Sequence, residues 1–215
     1  MKPSRVVATL ACALVAVLCS SCGSLLNVQR TPFTIYSPTY SAAAASGTVT
    51  HVEWQLAIET PLASDTLDSV RIAVMPTPGV LEVFPGARWR EPAPALLRGM
   101  VVQGFEASGR IIGVGSAASG LRADYSLAIA LRDFQLEFRD GKPQAAIRFQ
   151  ARLLDYTSNR VLASHAFTAE SASAAADAAS AFVAFETALN TIVPELVEWT
   201  LREGTTAQGK LAAHP

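Results

Sequence analysis

Cysteine is nearly missing from this chain: Cys12, Cys19 and Cys22 are its only three, and all fall within the first 22 of 215 residues. No disulfide can therefore close inside the remainder, even in a compartment that permits one. Histidine is as sparse. His51, His165 and His214 each stand without a second ligand at zinc spacing. No serine sits in a Gly-x-Ser-x-Gly elbow, and Gly113-Val114-Gly115 lacks the third glycine of a dinucleotide loop because position 118 is Ala118. Asp124, Asp133 and Asp155 are the carboxylates that could meet in space, although acidic residues beside strand ends are usually solvated. Positive charge is not in excess either. Taking Lys2 and Arg5 away from the net charge of −1 leaves −3 on the side chains that follow, so the basic face that a nucleic-acid backbone requires is excluded. These absences point away from an enzyme and toward a binding or coupling module with no cofactor and no metal.

What is present begins at the N-terminus. Lys2 and Arg5 form a positive region, Val6 to Leu18 an apolar one, and the small residues Ser20 and Ser21 precede Cys22. The uncharged run is shorter than the ~20 residues that span a bilayer. A signal that ends in small residues and then Cys resembles the bacterial lipobox, in which the thiol is diacylated and the chain cut before it. That implies cleavage between Ser21 and Cys22, lipidation of Cys22, and separation of the Cys19-Ser20-Ser21-Cys22 thiols, so this C-x-x-C is not read as redox or metal-binding. Cys19 stands where the lipobox usually has Leu. The alternative is an ordinary secretory signal cut near Ser20. At about 0.8 kcal/mol per buried methylene, two or three acyl chains give stable anchoring. Gly23, rather than Asp, after the Cys favours the outer membrane by the same resemblance, on its periplasmic face, over the inner one.

Removing 21 residues leaves 194, the length of one domain. Residues 1–21 are expected as the signal, 22–30 as a lipidated tether, 31–203 as a single domain and 204–215 as a disordered tail. Phe33 to Tyr36 reads as an edge strand, and Ser41 to Thr48 as a flexible Ala/Ser/Gly loop. Trp54, Leu56 and Ile58 mark a second strand and Val70 to Met75 a third. Leu81 and Val83 mark a short fourth that stops before Pro85-Gly86. A helix opens at Pro92 to Pro94 and ends at Gly109, with Leu96, Leu97, Met100, Val101 and Phe105 on one face. Gly113 to Ser119 reads as a loop. Tyr125, Leu127, Ile129 and Leu131 share one parity, whereas Phe134, Leu136 and Phe138 share the other, so a β-bulge or sharp bend is expected at Arg132-Asp133. Two further strands, turning at Asp140-Gly141 and at Ser158-Asn159, complete an antiparallel meander. Phe182, Phe185, Leu189, Ile192, Leu196 and Trp199 then form one helical stripe that is expected to cover the sheet, with Pro194 kinking or dividing the helix. The same stripe could instead serve a homo-oligomer.

Four segments carry a wider resemblance. They are Trp54 to Ile58 with Leu67 to Val74; Ala87 to Pro94; Asp124 to Leu127 with Leu131 to Phe134; and Ala184-Phe185-Glu186 through Trp199. In order and spacing, together with the lipobox, they are similar to the ABC-type transport auxiliary lipoproteins, the Pqi-type lipoproteins of Mce systems. The resemblance implies an α+β fold, a mainly antiparallel or mixed sheet with two helices packed on it, resembling the N-terminal domain of TolB. It also implies a non-catalytic role beside an Mce-domain protein and an ABC permease and ATPase, in moving phospholipid or other hydrophobic molecules between membranes. A structural envelope lipoprotein that handles no lipid is the alternative. Trp89 and Trp199 are expected as core anchors, and no residue is assigned to ligand binding.

Overall fold

The shared parity of Tyr125, Leu127, Ile129 and Leu131, and its reversal at Phe134, build the longest strand of the molecule. The computed structural model describes residues 32–41, 51–116 and 120–212. The signal, Cys22, the tether and residues 42–48 of the Ala-rich loop lie outside the described residues. From Phe33 onward the chain forms one unit. Its strands are β1 (Thr34–Tyr36), β2 (Val52–Ile58), β3 (Arg71–Thr77), β4 (Val80–Trp89), β5 (Ile111–Ser116), β6 (Tyr125–Arg139), β7 (Lys142–Asp155) and β8 (Val161–Ala172), and its helices are α1 (Ala93–Ser108) and α2 (Ala178–Ala212).

All eight strands join in one mixed sheet, and β6 is its spine. Along one edge β6 pairs antiparallel with β7 over its whole length, and β7 continues into β8. The opposite edge is divided. Leu56–Ile58 of β2 run parallel to Tyr125–Leu127, Ala73–Met75 of β3 run parallel to Gln135–Glu137, and Leu62 bridges Ala130 between them. Beyond β2 lies β5, parallel to it, and beyond β3 lie antiparallel β4 and then β1, parallel to β4. The register of β6 on β7 shifts between Leu131 and Asp133, leaving exposed Arg132 as the extra residue. This bulge accounts for the reversal of parity. Asp140 and Gly141, both at positive φ (51° and 74°), make the two-residue turn into β7.

Both helices pack on one face, and the predicted stripe lies against the sheet. Phe185, Leu189, Ile192 and Leu196 are fully buried and Trp199 nearly so. The centre of the core is aromatic. Trp89 meets Phe134 and Phe185 edge-on at 5.6 and 5.2 Å, and those two stack at 5.0 Å. Each such pair adds about 0.5–1.5 kcal/mol beyond area burial. The α1 C-terminus is closed by Gly109 in the left-handed region, its N–H donating to the Glu106 carbonyl. At Gly104, α2 comes so close that an added Cβ would lie 2.5 Å from Val193 Cγ1.

Four expectations are corrected. β4 does not stop before Pro85: it runs through to Trp89, because its register on β3 shifts there and Pro85 owes no ladder bond at such an irregularity. The Gly113 to Ser119 loop is strand β5 as far as Ser116. Gly113 is there because the Gln55 side chain crosses it, 2.9 Å from where a Cβ would stand. Of the kink or division expected at Pro194, the division does not occur: α2 continues through it. The tail expected from Gly204 is helix as far as Ala212. Gly204 itself is buried over Trp54, so it is a packing glycine rather than a stop.

Candidate functional site

Among the described residues strand β8 has a partner strand on one side only. Its free edge and the second half of α2 together form an open groove. One part, about 450 Å³, is lined by His165 and Phe167 from β8 and by Pro194, Glu198 and Trp199 from α2. Another, about 500 Å³, lies between Arg160, Val161 and Leu162 at the start of β8 and Glu203, Ala207 and Lys210 of α2. The floor is aromatic: Phe167 meets Trp199 edge-on at 5.7 Å and stacks on Phe149 at 5.3 Å. The His165 ring lies 4.8 Å from Phe167 and 6.1 Å from Trp199. The rim is charged, with Glu198 held by Arg110 and Arg202 by Glu203. Phe167 and Trp199 alternate inward because the 2-residue period of β8 and the 3-to-4-residue period of α2 both place them at the sheet–helix seam. Such a surface can seat an apolar segment.

His165 is exposed, and the part of the groove around it is lined by carboxylates and by no serine, threonine or cysteine, whereas Thr206 lines the other part. The three aspartates do not converge. Asp124 Oδ2 accepts the Gln55 N–H at 2.8 Å and Asp155 Oδ1 accepts the Ser158 N–H and O–H at 2.8 and 2.7 Å. Asp155 is held below its ordinary pKa by those Ser158 bonds, the hydroxyl first. Both flank Tyr125, whose phenol is pushed upward by burial and then by Asp124 and Asp155. Asp133 lies elsewhere on β6 and faces Arg148 at 3.4 Å. Among the described residues no three His, Cys, Asp or Glu gather as a metal site. His51 is exposed, and His214 lies outside the described residues, as do Ser21 and Cys22. Trp89 and Trp199 are buried at 1% and 6% exposure, as core anchors.

Sequence reading missed an ionic cluster on the face of the meander away from the helices. Arg148 donates to Glu137 at 2.7 Å and to Glu170 at 2.6 Å, and Arg139 donates to Glu170 at 2.9 Å. The Arg148 hydrogen bond is the main cause that lowers the Glu137 pKa, and Glu137 in turn raises that of Arg148. Next to it Gln135, 4% exposed, donates to Met75 Sδ at 3.7 Å. The outward parity of Arg148 was readable. Its partners lie on β6 and β8, Glu170 diagonally across from it and Glu137 four residues beyond its direct partner Asp133, which only the register supplies.

With this geometry in hand, likeness to known proteins is informative. Residues 34–197, nearly the whole described unit, match a family model described as "ABC-type transport auxiliary lipoprotein component". A Xanthomonas campestris protein of known crystal structure is 40% identical, over 82% of this chain and 99% of its own, with a TM-score of 0.77. A crystal structure of an uncharacterized protein, 12% identical with a TM-score of 0.61 over 78% of this chain and 97% of that one, shares the fold. An uncharacterized protein of Bradyrhizobium diazoefficiens is 30% identical over 147 residues, which are 68% of this chain and 39% of that protein.

Proposed function

The chain belongs to the family of ABC-type transport auxiliary lipoprotein components, and from that premise we propose that it is a non-catalytic, lipid-anchored periplasmic component of an Mce-type ABC transport system. In this reading the Cys22 thiol is diacylated, the chain is then cut between Ser21 and Cys22, and the lipid holds the domain on the periplasmic face of the outer membrane. There it works with an Mce-domain protein and an inner-membrane permease and ATPase that move phospholipid or another hydrophobic molecule between the membranes. The observation that carries the reading is the extent of the family match. It begins at β1 and ends within α2, so the whole sheet, α1 and α2 as far as Val197 belong to the family's domain. The open aromatic groove along β8 is consistent with docking of an apolar segment.

The test is capture of the lipidated chain from cross-linked envelopes. Recovery of an Mce-domain protein together with permease and ATPase subunits is expected. Recovery of none of them, with no such genes beside this one, overturns the reading. Fatty-acid labelling that persists in Cys22→Ala overturns the anchor. A second reading, an envelope scaffold that handles no lipid, is favoured by one observation. The space between sheet and helices is filled by Trp89, Phe134 and Phe185. Lipid extracted reproducibly from purified protein, beyond its own anchor, counts against it.

A further inference from the structure

The face of the sheet turned away from the helices carries an unusual row at the β1 edge. In register, Ile35 of β1 stands beside Arg88 of β4, which stands opposite Arg71 of β3. The next residues along, Tyr36 and Trp89, turn into the core, Tyr36 against Phe182 at 5.1 Å, so Ile35 and Arg88 point the other way. Arg71 likewise lies outward beside fully buried Ile72. Phe33 flanks the row with its ring 5.4 Å from the Arg88 guanidinium carbon. Two features here work against the isolated domain. Phe33 and Ile35 leave 58% and 52% of their surface in water. Like charges sit directly opposite each other across β3 and β4, an arrangement that destabilises a sheet. Among the described residues neither arginine has an ion-pair partner, whereas Arg90, Arg139 and Arg148 nearby each do.

We infer that this row is a membrane-contacting face: Arg71 and Arg88 bind the phosphates of anionic lipid while Phe33 and Ile35 enter the headgroup layer. The inference rests on the proposed acylation of Cys22, and the length of the chain supports it. Ten residues, 23–32, separate Cys22 from Phe33. Even fully extended they reach about 35 Å. The start of β1 therefore cannot lie farther than that from the anchor. Tethering at that range acts as a millimolar local concentration of surface, so contacts too weak to hold a free protein become occupied. Arginine near an anionic leaflet contributes roughly fivefold in partitioning per residue. Exposed apolar side chains beside cations are the composition that such an interface takes.

The mature chain has no cysteine besides Cys22, so Phe33→Cys allows an apolar fluorophore to be placed at position 33 alone. The full lipidated protein is reconstituted in phosphatidylethanolamine–phosphatidylglycerol vesicles, and quenching by lipid-borne quenchers is compared with that of a label placed through Asn159→Cys, in the exposed turn before β8. Strong quenching at position 33 and none at 159 is expected. The double change Arg71→Gln, Arg88→Gln lowers the docking constant roughly 25-fold, fivefold for each arginine. Raised salt, or phosphatidylcholine in place of the anionic lipid, weakens quenching without any substitution. Equal quenching at the two positions overturns the proposal. So does shielding of position 33 from aqueous iodide in native envelopes without lipid quenching, which would mark a protein partner. Intact mass reads the anchor independently: an acylated chain with position 33 unquenched removes only this face, whereas an unacylated one removes both.

Discussion

Gly204 of α2 lies directly on the Trp54 indole of β2: a Cβ built on it would stand 2.5 Å from Cζ2 and 2.9 Å from Cε2. The helix can therefore cross β2 only because no side chain is present at this position. Gly204→Ala would gain about 1 kcal/mol of helix propensity but overpack the seam by about 1–3 kcal/mol. A net destabilisation of roughly 1 kcal/mol is expected in urea unfolding. The same change made with Trp54→Phe, which deletes the clashing ring, should be neutral or stabilising. Trp54 Nε1 is buried without an acceptor, so Trp54→Phe alone removes an unpaired donor along with the packing it loses. Equal costs for Gly204→Ala in both backgrounds would exclude this contact as the reason for the glycine.

Asn190 and Glu186, one turn apart on α2, hold the chain that follows β1. The Asn190 amide donates to the Thr39 carbonyl at 3.1 Å and accepts the Ser41 N–H at 2.7 Å, while Glu186 accepts the Thr39 N–H at 2.8 Å. Asn190→Ala should release residues 39–41 from the helix at a cost of about 1 kcal/mol, with little effect on global unfolding. Amide exchange is the measurement. The Ser41 N–H should exchange faster in the variant while the β6 and β7 amides are unchanged, and unaltered exchange at Ser41 would show that the clamp is not used.

Much of the fold was legible, and the failures share one cause. Periodicity located α1, the meander and the bulge at Arg132-Asp133, because each is written in local alternation. It misjudged Pro85, Gly113 and Gly204, which read locally as interruptions: Pro85 is tolerated at a register irregularity, and the two glycines are required by side chains elsewhere in the chain. Gly113 belongs to β5 only because Gln55 lies across it, and Gly204 to α2 only because Trp54 lies beneath it. The candidate sites followed the same division. That His165 sits on a strand could be read from the sequence. That Arg71 opposes Arg88, or that Arg148 reaches Glu137 and Glu170, depends on pairings between residues far apart along the chain.

Tyr125 predicts behaviour at alkaline pH. Its folded pKa is raised above the ordinary 10.0, first by burial and then by Asp124 and Asp155. A raised pKa means that the neutral phenol is favoured in the fold. Stability from this group is present below about pH 10 and is lost as pH climbs toward and through the folded value. Phenolate absorbance of the folded protein should therefore show two tyrosines titrating late, Tyr125 and Tyr40, whose phenol burial also raises. Asp124→Asn should bring Tyr125 partway back and leave Tyr40 unchanged, since burial remains. A single transition at the ordinary value for every tyrosine would contradict the placement of Tyr125.

Glu137 predicts the opposite limb. Its carboxyl is lowered from 4.5, chiefly by the hydrogen bond from Arg148, and its side chain is only 16% exposed. A depressed pKa contributes stability that is present above the unfolded value and lost as pH falls through the folded one. The loss should thus begin below pH 4.5 and extend downward. Glu137→Gln keeps the shape but removes the charge, and Arg148 retains Glu170 at 2.6 Å, so the expected cost at neutral pH is about 1–2 kcal/mol. Arg148→Gln should cost more, because it leaves Glu137, Glu170 and Asp133 facing one another without their shared cation. Urea unfolding across the acid range separates the two. The Glu137→Gln curve should run below that of the natural chain at neutral pH and converge with it as Glu137 protonates. Parallel curves down to the acid limit would mean that the ion pair contributes nothing to folding and that this face is held by its β-ladder alone.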